Sequence, residues 1–151
     1  MKRTVILFAL TAIIAAAGIA GAADKAVLIA TQKSEFKDAV ISKVKAELEN
    51  NKCTVKLIEL KDVLKEPAEN YNAIILVNTC MAGQIEGKVK KFLKKLSDAD
   101  KKKVLLFTTA GGEDWIPKGT GVDCITSASK IAKADTVVLV IIAKVKSILA
   151  K

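Results

Sequence analysis

Histidine is missing from this sequence altogether. That removes Ser-His-Asp and Cys-His catalysis, takes away the usual zinc ligand, and leaves no metal expected. Arginine occurs once, at Arg3, so the basic character comes from lysine. Lysine is a point charge without the planar fork that reads phosphates or bases bidentately. With one tryptophan, one tyrosine and four phenylalanines there is also little to stack on bases, and nucleic acid is not expected as a partner. The three cysteines, Cys53, Cys80 and Cys124, have no CxxC spacing, which offers neither a thioredoxin motif nor a zinc knuckle. No pair of carboxylates stands at a spacing that defines a hydrolase.

What is present begins with Met1-Lys2-Arg3, an apolar segment from Val5 to Ala17, and small residues ending in Ala20-Gly21-Ala22-Ala23. This order describes a secretory signal peptide over 1–23, cleaved after Ala22 or Ala23. The rival reading is an uncleaved anchor, since Val5 to Ala23 is just long enough to span a thin bilayer. The signal-peptide reading implies a single mature domain over 24–151, a periplasmic or otherwise extracytoplasmic location, and no stable membrane insertion after cleavage. It also puts an odd number of cysteines in an oxidising compartment, leaving at least one unpaired. Lysine plus arginine number 25 against 16 acids, and eight lysines fall between Lys88 and Lys103. That run reads either as a solvated helix face or as a docking patch for an acidic redox partner protein or anionic lipid.

Four segments read as buried strands: Ala26 to Thr31, Thr54 to Leu60, Ala73 to Asn78 and Val104 to Thr109. The first, third and fourth are continuous apolar runs, the pattern of a parallel sheet covered on both faces. Phe36, Val40, Val44 and Leu48 mark a helix, with Asn50-Asn51 as a left-handed stop. Val89, Phe92, Leu93 and Leu96 mark a second, with Lys90, Lys91, Lys94 and Lys95 turned outward. The link from Lys61 to Asn72 is too weakly patterned for a full helix. Val122 to Ile125 reads as a short fifth strand, with Asp135 capping a final helix through Leu149. Strands alternating with helices predict an α/β, doubly wound three-layer sandwich of about five parallel strands with helices on both faces. The loops Thr31 to Ser34, Asn78 to Gln84 and Thr109 to Trp115 then meet along one sheet edge.

The segment from Thr108 to Ser129 breaks the Lys-rich pattern around it, holding four of the eight glycines and the lone tryptophan. Within it, Thr109-Ala110-Gly111-Gly112-Glu113-Asp114-Trp115 resembles the Gly-x-Gly-Asp loop and following aromatic residue found after the fourth strand of flavodoxins. Asn78-Thr79-Cys80-Met81-Ala82-Gly83 occupies the place of that family's other ring-flanking loop, and Thr31, Lys33 and Ser34 that of its phosphate loop. The chain therefore resembles the flavodoxin-like family over nearly the whole of 24–151. The resemblance implies FMN as ligand and an electron-transfer or redox-accessory role in which the flavin performs the chemistry.

The sequence departs from that family at the phosphate loop, which reads Thr31-Gln32-Lys33-Ser34-Glu35-Phe36. A glycine is missing and Glu35 competes with a phosphate for the helix dipole, while Ser34 reads equally as a plain helix cap. The alternative these residues leave open is a binding domain without flavin that uses the same edge for another small molecule or a protein. Asp123-Cys124-Ile125-Thr126-Ser127-Ala128-Ser129 is similar to the signature at which exported flavoproteins receive FMN covalently, with Ser129 as the acceptor hydroxyl. Its other reading is a turn whose hydroxyls satisfy backbone groups. Asn78 stands where a receiver domain would need a phosphoacceptor aspartate. Cys80 and Cys124, both near the ligand edge, are candidates for a disulfide. Trp115 is either a loop anchor or a stacking surface for a planar ligand.

Overall fold

The computed structural model describes residues 24–151; the leader read over 1–23 lies outside the described residues. Five parallel strands, β1 (Lys25–Thr31), β2 (Cys53–Glu59), β3 (Ala73–Thr79), β4 (Val104–Ala110) and β5 (Asp123–Ala128), form one sheet in the order β2-β1-β3-β4-β5. The helices are α1 (Glu35–Asn50), α2 (Gly87–Lys95), the single turn α3 (Asp98–Lys101) and α4 (Ala134–Leu149). The weakly patterned link before β3 is two 3-10 turns, Leu60–Lys65 and Ala68–Asn70.

The central strands are apolar on both sides because each side faces a separate core. On one face Val27, Ile29, Ile75, Val77, Leu105 and Phe107 pack beneath α1 and α4. On the other, Leu28, Ile74, Leu76 and Leu106 pack beneath α2 and the 3-10 turns. β2, at one edge of the sheet, alternates between half-buried and exposed residues. No helix among the described residues is long and apolar enough to cross a membrane.

Three local expectations are corrected. The left-handed residue after α1 is Lys52, at φ 61°, and not an asparagine. Asn51 instead caps the helix by donating its side-chain amide to the Glu47 carbonyl at 2.7 Å. Asp135 does not cap α4. It sits inside the first turn and pairs with Lys43 at 2.5 Å, while the 3-10 turn Ile131–Lys133 leads into the helix. The fifth strand runs three residues further than expected, to Ala128.

The crossover from β4 to β5 contains no helix, unlike β1 to β2 and β3 to β4. Residues 111–122 return on the α2 side as an irregular link with Pro117 buried and Gly119 and Gly121 at positive φ.

Candidate functional site

Strand register sets two polar rows across the carboxyl ends of the strands. Asn78 pairs with Thr108, and Thr108 with Thr126, on the α2 side. One residue on, Thr79, Thr109 and Ser127 form the same sequence on the α1 side, because neighbouring residues in a strand face opposite ways.

The α1 side holds a depression of about 520 Å³ lined by Gln32, Lys33, Ser34, Lys37, Thr79, Thr109 and Ser129, with Glu35, Phe36 and Ile131 completing its wall. Its centre is Lys37, which is only 3% exposed. The ammonium donates to Thr79 Oγ1 and, at 3.3 Å, to Gln32 Oε1. Thr79 also donates to Gln32 Oε1 at 3.1 Å, and Gln32 Nε2 reaches Glu86 Oε2 at 2.6 Å. No carboxylate among the described residues lies within ion-pair distance of Lys37. Burial pushes the Lys37 pKa below the ordinary lysine value, against the opposing pull of Glu86 and then Asp38.

Helix geometry explains why this charge sits here. Side chains on a helix lean towards its amino end, so a lysine in the first turn of α1 carries its ammonium back over the helix N-terminus. The dipole already places partial positive charge there, and a cation adds to it. The result is a buried positive centre among hydroxyls. Sequence reading missed it by following Phe36, Val40, Val44 and Leu48. The spacing Lys37, Ile41, Val44, Leu48 was the available signal, since it places the lysine on the buried stripe.

The expected site residues separate into several groups. Lys33, Ser34, Thr79 and Thr109 line the depression, and Ser129 stands exposed at its lip. Ser34 is also the cap of α1, its Oγ accepting from the Lys37 N–H at 3.2 Å. Thr31 turns its hydroxyl to the Gln32 carbonyl at 3.1 Å. Asn78 is fully buried and hydrogen-bonded within the fold. Its Oδ1 accepts from the Glu86 N–H at 2.9 Å, and its Nδ2 donates towards Thr108 Oγ1 at 3.4 Å. It thereby ties down the loop into α2.

The ring-flanking residues are not brought to Lys37. Met81 is 74% exposed on a tight turn through Ala82 and Gly83, both at positive φ. Gly111 and Gly112 are exposed after the half-buried Ala110, and Glu113 pairs with Lys133. Asp114 and Trp115 line a different cavity, a groove of about 690 Å³ against α2. All three cysteines are free thiols. Cys124 pairs in register with Leu106, whereas Cys80 follows Thr79, whose partner is Thr109, and β4 runs between them. That is an offset of about 13 Å along the strands and about 10 Å across them, against a limit of about 7 Å for a disulfide. Burial raises the Cys124 thiol pKa, which makes it less reactive.

The donor set around Lys37 fits a phosphate monoester: one buried ammonium, Lys33, the four hydroxyls of Ser34, Thr79, Thr109 and Ser129, and the N-terminus of a sixteen-residue helix. Glu35 on the same wall opposes it. Nothing comparable surrounds a planar ring at this depression, where Phe36 is 4% exposed and already part of the core.

Neither a family model nor a curated protein matches the sequence. Solved structures do. An archaeal flavodoxin superposes with a TM-score of 0.56 at 11% identity, over 82% of this chain and 98% of that one. An NADH:FMN oxidoreductase in its apo form gives 0.52 at 13% identity, over 83% and 89% of the two chains. A flavo-diiron protein mutant from Thermotoga maritima gives 0.57 at 16% identity, over 84% of this chain but 36% of that protein. The fold is flavodoxin-like, shared with flavin-binding redox proteins.

Proposed function

We propose that this protein is an exported redox accessory that holds FMN by its phosphate at the depression between β1 and α1. The observation that carries the reading is the Lys37 ammonium, buried at a helix N-terminus with neutral oxygens as its only close partners. Lys37 binds the phosphate, and the Thr79 and Thr109 hydroxyls donate to it by turning away from Gln32 Oε1 and the Asn78 carbonyl, which take their protons in the free protein. Gln32 and Glu86 fix the direction of the lysine. The flavin, when bound, supplies reversible electron transfer. What this chain contributes is position and charge.

A second reading is favoured by a specific observation. Glu35 shares the wall of the depression, and Trp115 and Met81 do not flank it. A domain that binds a smaller phosphorylated or carboxylated compound needs the Lys37 end of the site and no ring cradle.

One titration separates the two. FMN and riboflavin share a ring and differ by the phosphate, so quenching of each is measured with the protein as purified from the exported fraction. The flavin reading expects FMN to bind at least about tenfold tighter than riboflavin, with the preference abolished by Lys37→Met. Failure of FMN to bind, with inorganic phosphate protecting the fold against heat, supports the second reading. Colour that stays with acid-precipitated protein would direct attention to a covalent link at Ser129.

A further inference from the structure

The missing helix between β4 and β5 leaves a groove that the Lys37 site does not use. Its floor is Ile85, Leu93, Trp115 and Pro117, and its rim carries Lys90, Lys94, Lys101 and Lys118 against a single acid, Asp114. We infer that this groove docks an acidic, amphipathic segment of a partner protein. The inference is independent of what the Lys37 depression holds.

Charge carries the first half of the argument. Helix α2 has five lysines in or beside its nine residues, from Lys88 to Lys95, and no acid in its first turn. Among the described residues no carboxylate lies within ion-pair distance of any of the five. Ten lysines outside α2 do reach an acid, among them Lys43, Lys45, Lys56, Lys65, Lys103 and Lys144 at 2.5–2.9 Å and Lys101 on the groove rim, which reaches Asp98 at 3.6 Å. Like charges spaced three and four apart on one helix repel, so the free protein keeps an uncompensated field that an acidic partner relieves.

Shape carries the second half. The lysines continue beyond the groove onto Lys91 and Lys95, on the exposed face of α2, an area that one small anion does not neutralise. A peptide segment matches both the length of that field and the apolar floor. Trp115 is half-buried and Ile116 is 63% exposed beside it, an arrangement suited to receive an apolar side chain from the partner.

The probe is a fluorescein-labelled synthetic peptide of glutamates interrupted by leucines at helical spacing, titrated into the full-length protein by anisotropy. Three companions complete the set: the same peptide with serine for leucine, its lysine-for-glutamate counterpart, and vesicles of equal phosphatidylglycerol and phosphatidylcholine. Saturable binding of the Glu/Leu peptide is expected, about tenfold tighter than the Glu/Ser peptide and none for the basic one. Lys90→Glu with Lys94→Glu should weaken it at least about tenfold, and Trp115→Ala several-fold. The same double reversal at Lys45 and Lys146, on the opposite layer, should leave it unchanged. Equal affinity for the Glu/Leu and Glu/Ser peptides would overturn the proposal, leaving a diffuse basic surface. Vesicles that displace the peptide and bind through Lys90 and Lys94 would overturn it in favour of a membrane surface.

Discussion

The two crossovers that reach the ligand edge are built in opposite ways. At the start of α1, side chains are cross-linked: Lys37, Gln32, Thr79 and Glu86 form one chain of hydrogen bonds, and Asn78 fastens the loop below. Between β4 and β5, Gly111, Gly112, Glu113 and Asp114 are all exposed, and no helix covers the link. One end of the edge is held by a network of side-chain hydrogen bonds; the other is open to solvent, with Glu113 paired to Lys133 and Pro117 buried. This division suits a site where a small charged group is gripped and a larger partner meets an open surface.

The largest effect should come from loosening the fixed end. Asn78→Ala removes the acceptor of the Glu86 N–H and the partner of Thr108, both in a fully buried position. A loss of about 2–4 kcal/mol is expected, read as a lower urea midpoint at unchanged slope. A loss below about 0.5 kcal/mol would show that the loop into α2 does not depend on this tie.

Lys37→Met comes next and should act on binding more than on folding. A charge-assisted contact to phosphate contributes about 1.5–3 kcal/mol, so FMN affinity should fall between about tenfold and a hundredfold. The fold should be as stable or slightly more so, because the variant no longer buries an ammonium without an acid beside it. Wild-type affinity in the variant would move the anion site away from this depression.

The same residue predicts a pH dependence with a definite sign. Burial lowers the pKa of Lys37, so the folded chain releases that proton at a pH where the unfolded chain still holds it. Between the lowered value and about 10.4 the unfolded state binds more protons, and stability rises with pH through that window. The difference in urea midpoint between wild type and Lys37→Met isolates this contribution, since the exposed lysines titrate in both. FMN affinity should fall over the same window as the site loses its charge. A midpoint difference that moves the other way would mean the folded state favours the lysine cation.

Much of this was legible in the sequence. The continuous apolar runs marked the central strands because helices cover both faces of the sheet, and the turn residues placed the loops at its carboxyl edge. The site was less legible. Lys37 sits on the buried stripe of α1, yet lysine is so often an outward residue that its spacing with Ile41 and Leu48 carried little weight against the Phe36 series. Asn78 ends an apolar strand, a position from which a ligand contact and a structural tie look alike. Only the register, which sets Asn78 beside Thr108 and aims it at the Glu86 N–H, separates them. The cysteines illustrate the limit of spacing arguments, because two residues near one edge are four register positions apart with β4 between their strands.

The smallest expected effect concerns the glycines that drew attention first. Gly111 and Gly112 have no atom within 4 Å of where a Cβ would stand, and neither is in the left-handed region. Gly119 and Gly121 take φ of 68° and 69°, where any side chain is strained. Gly119→Ala or Gly121→Ala should cost about 1 kcal/mol, and Gly111→Ala or Gly112→Ala should fall within about 0.5 kcal/mol of wild type. Urea unfolding of the four variants checks that ordering. Ligand titration of the two silent variants then asks something stability cannot. If FMN affinity drops in Gly111→Ala or Gly112→Ala while the fold is unaffected, the space above these residues is where the ring passes. Should affinity hold as well, the pair is only an open link between strands, and the ring lies elsewhere on the edge.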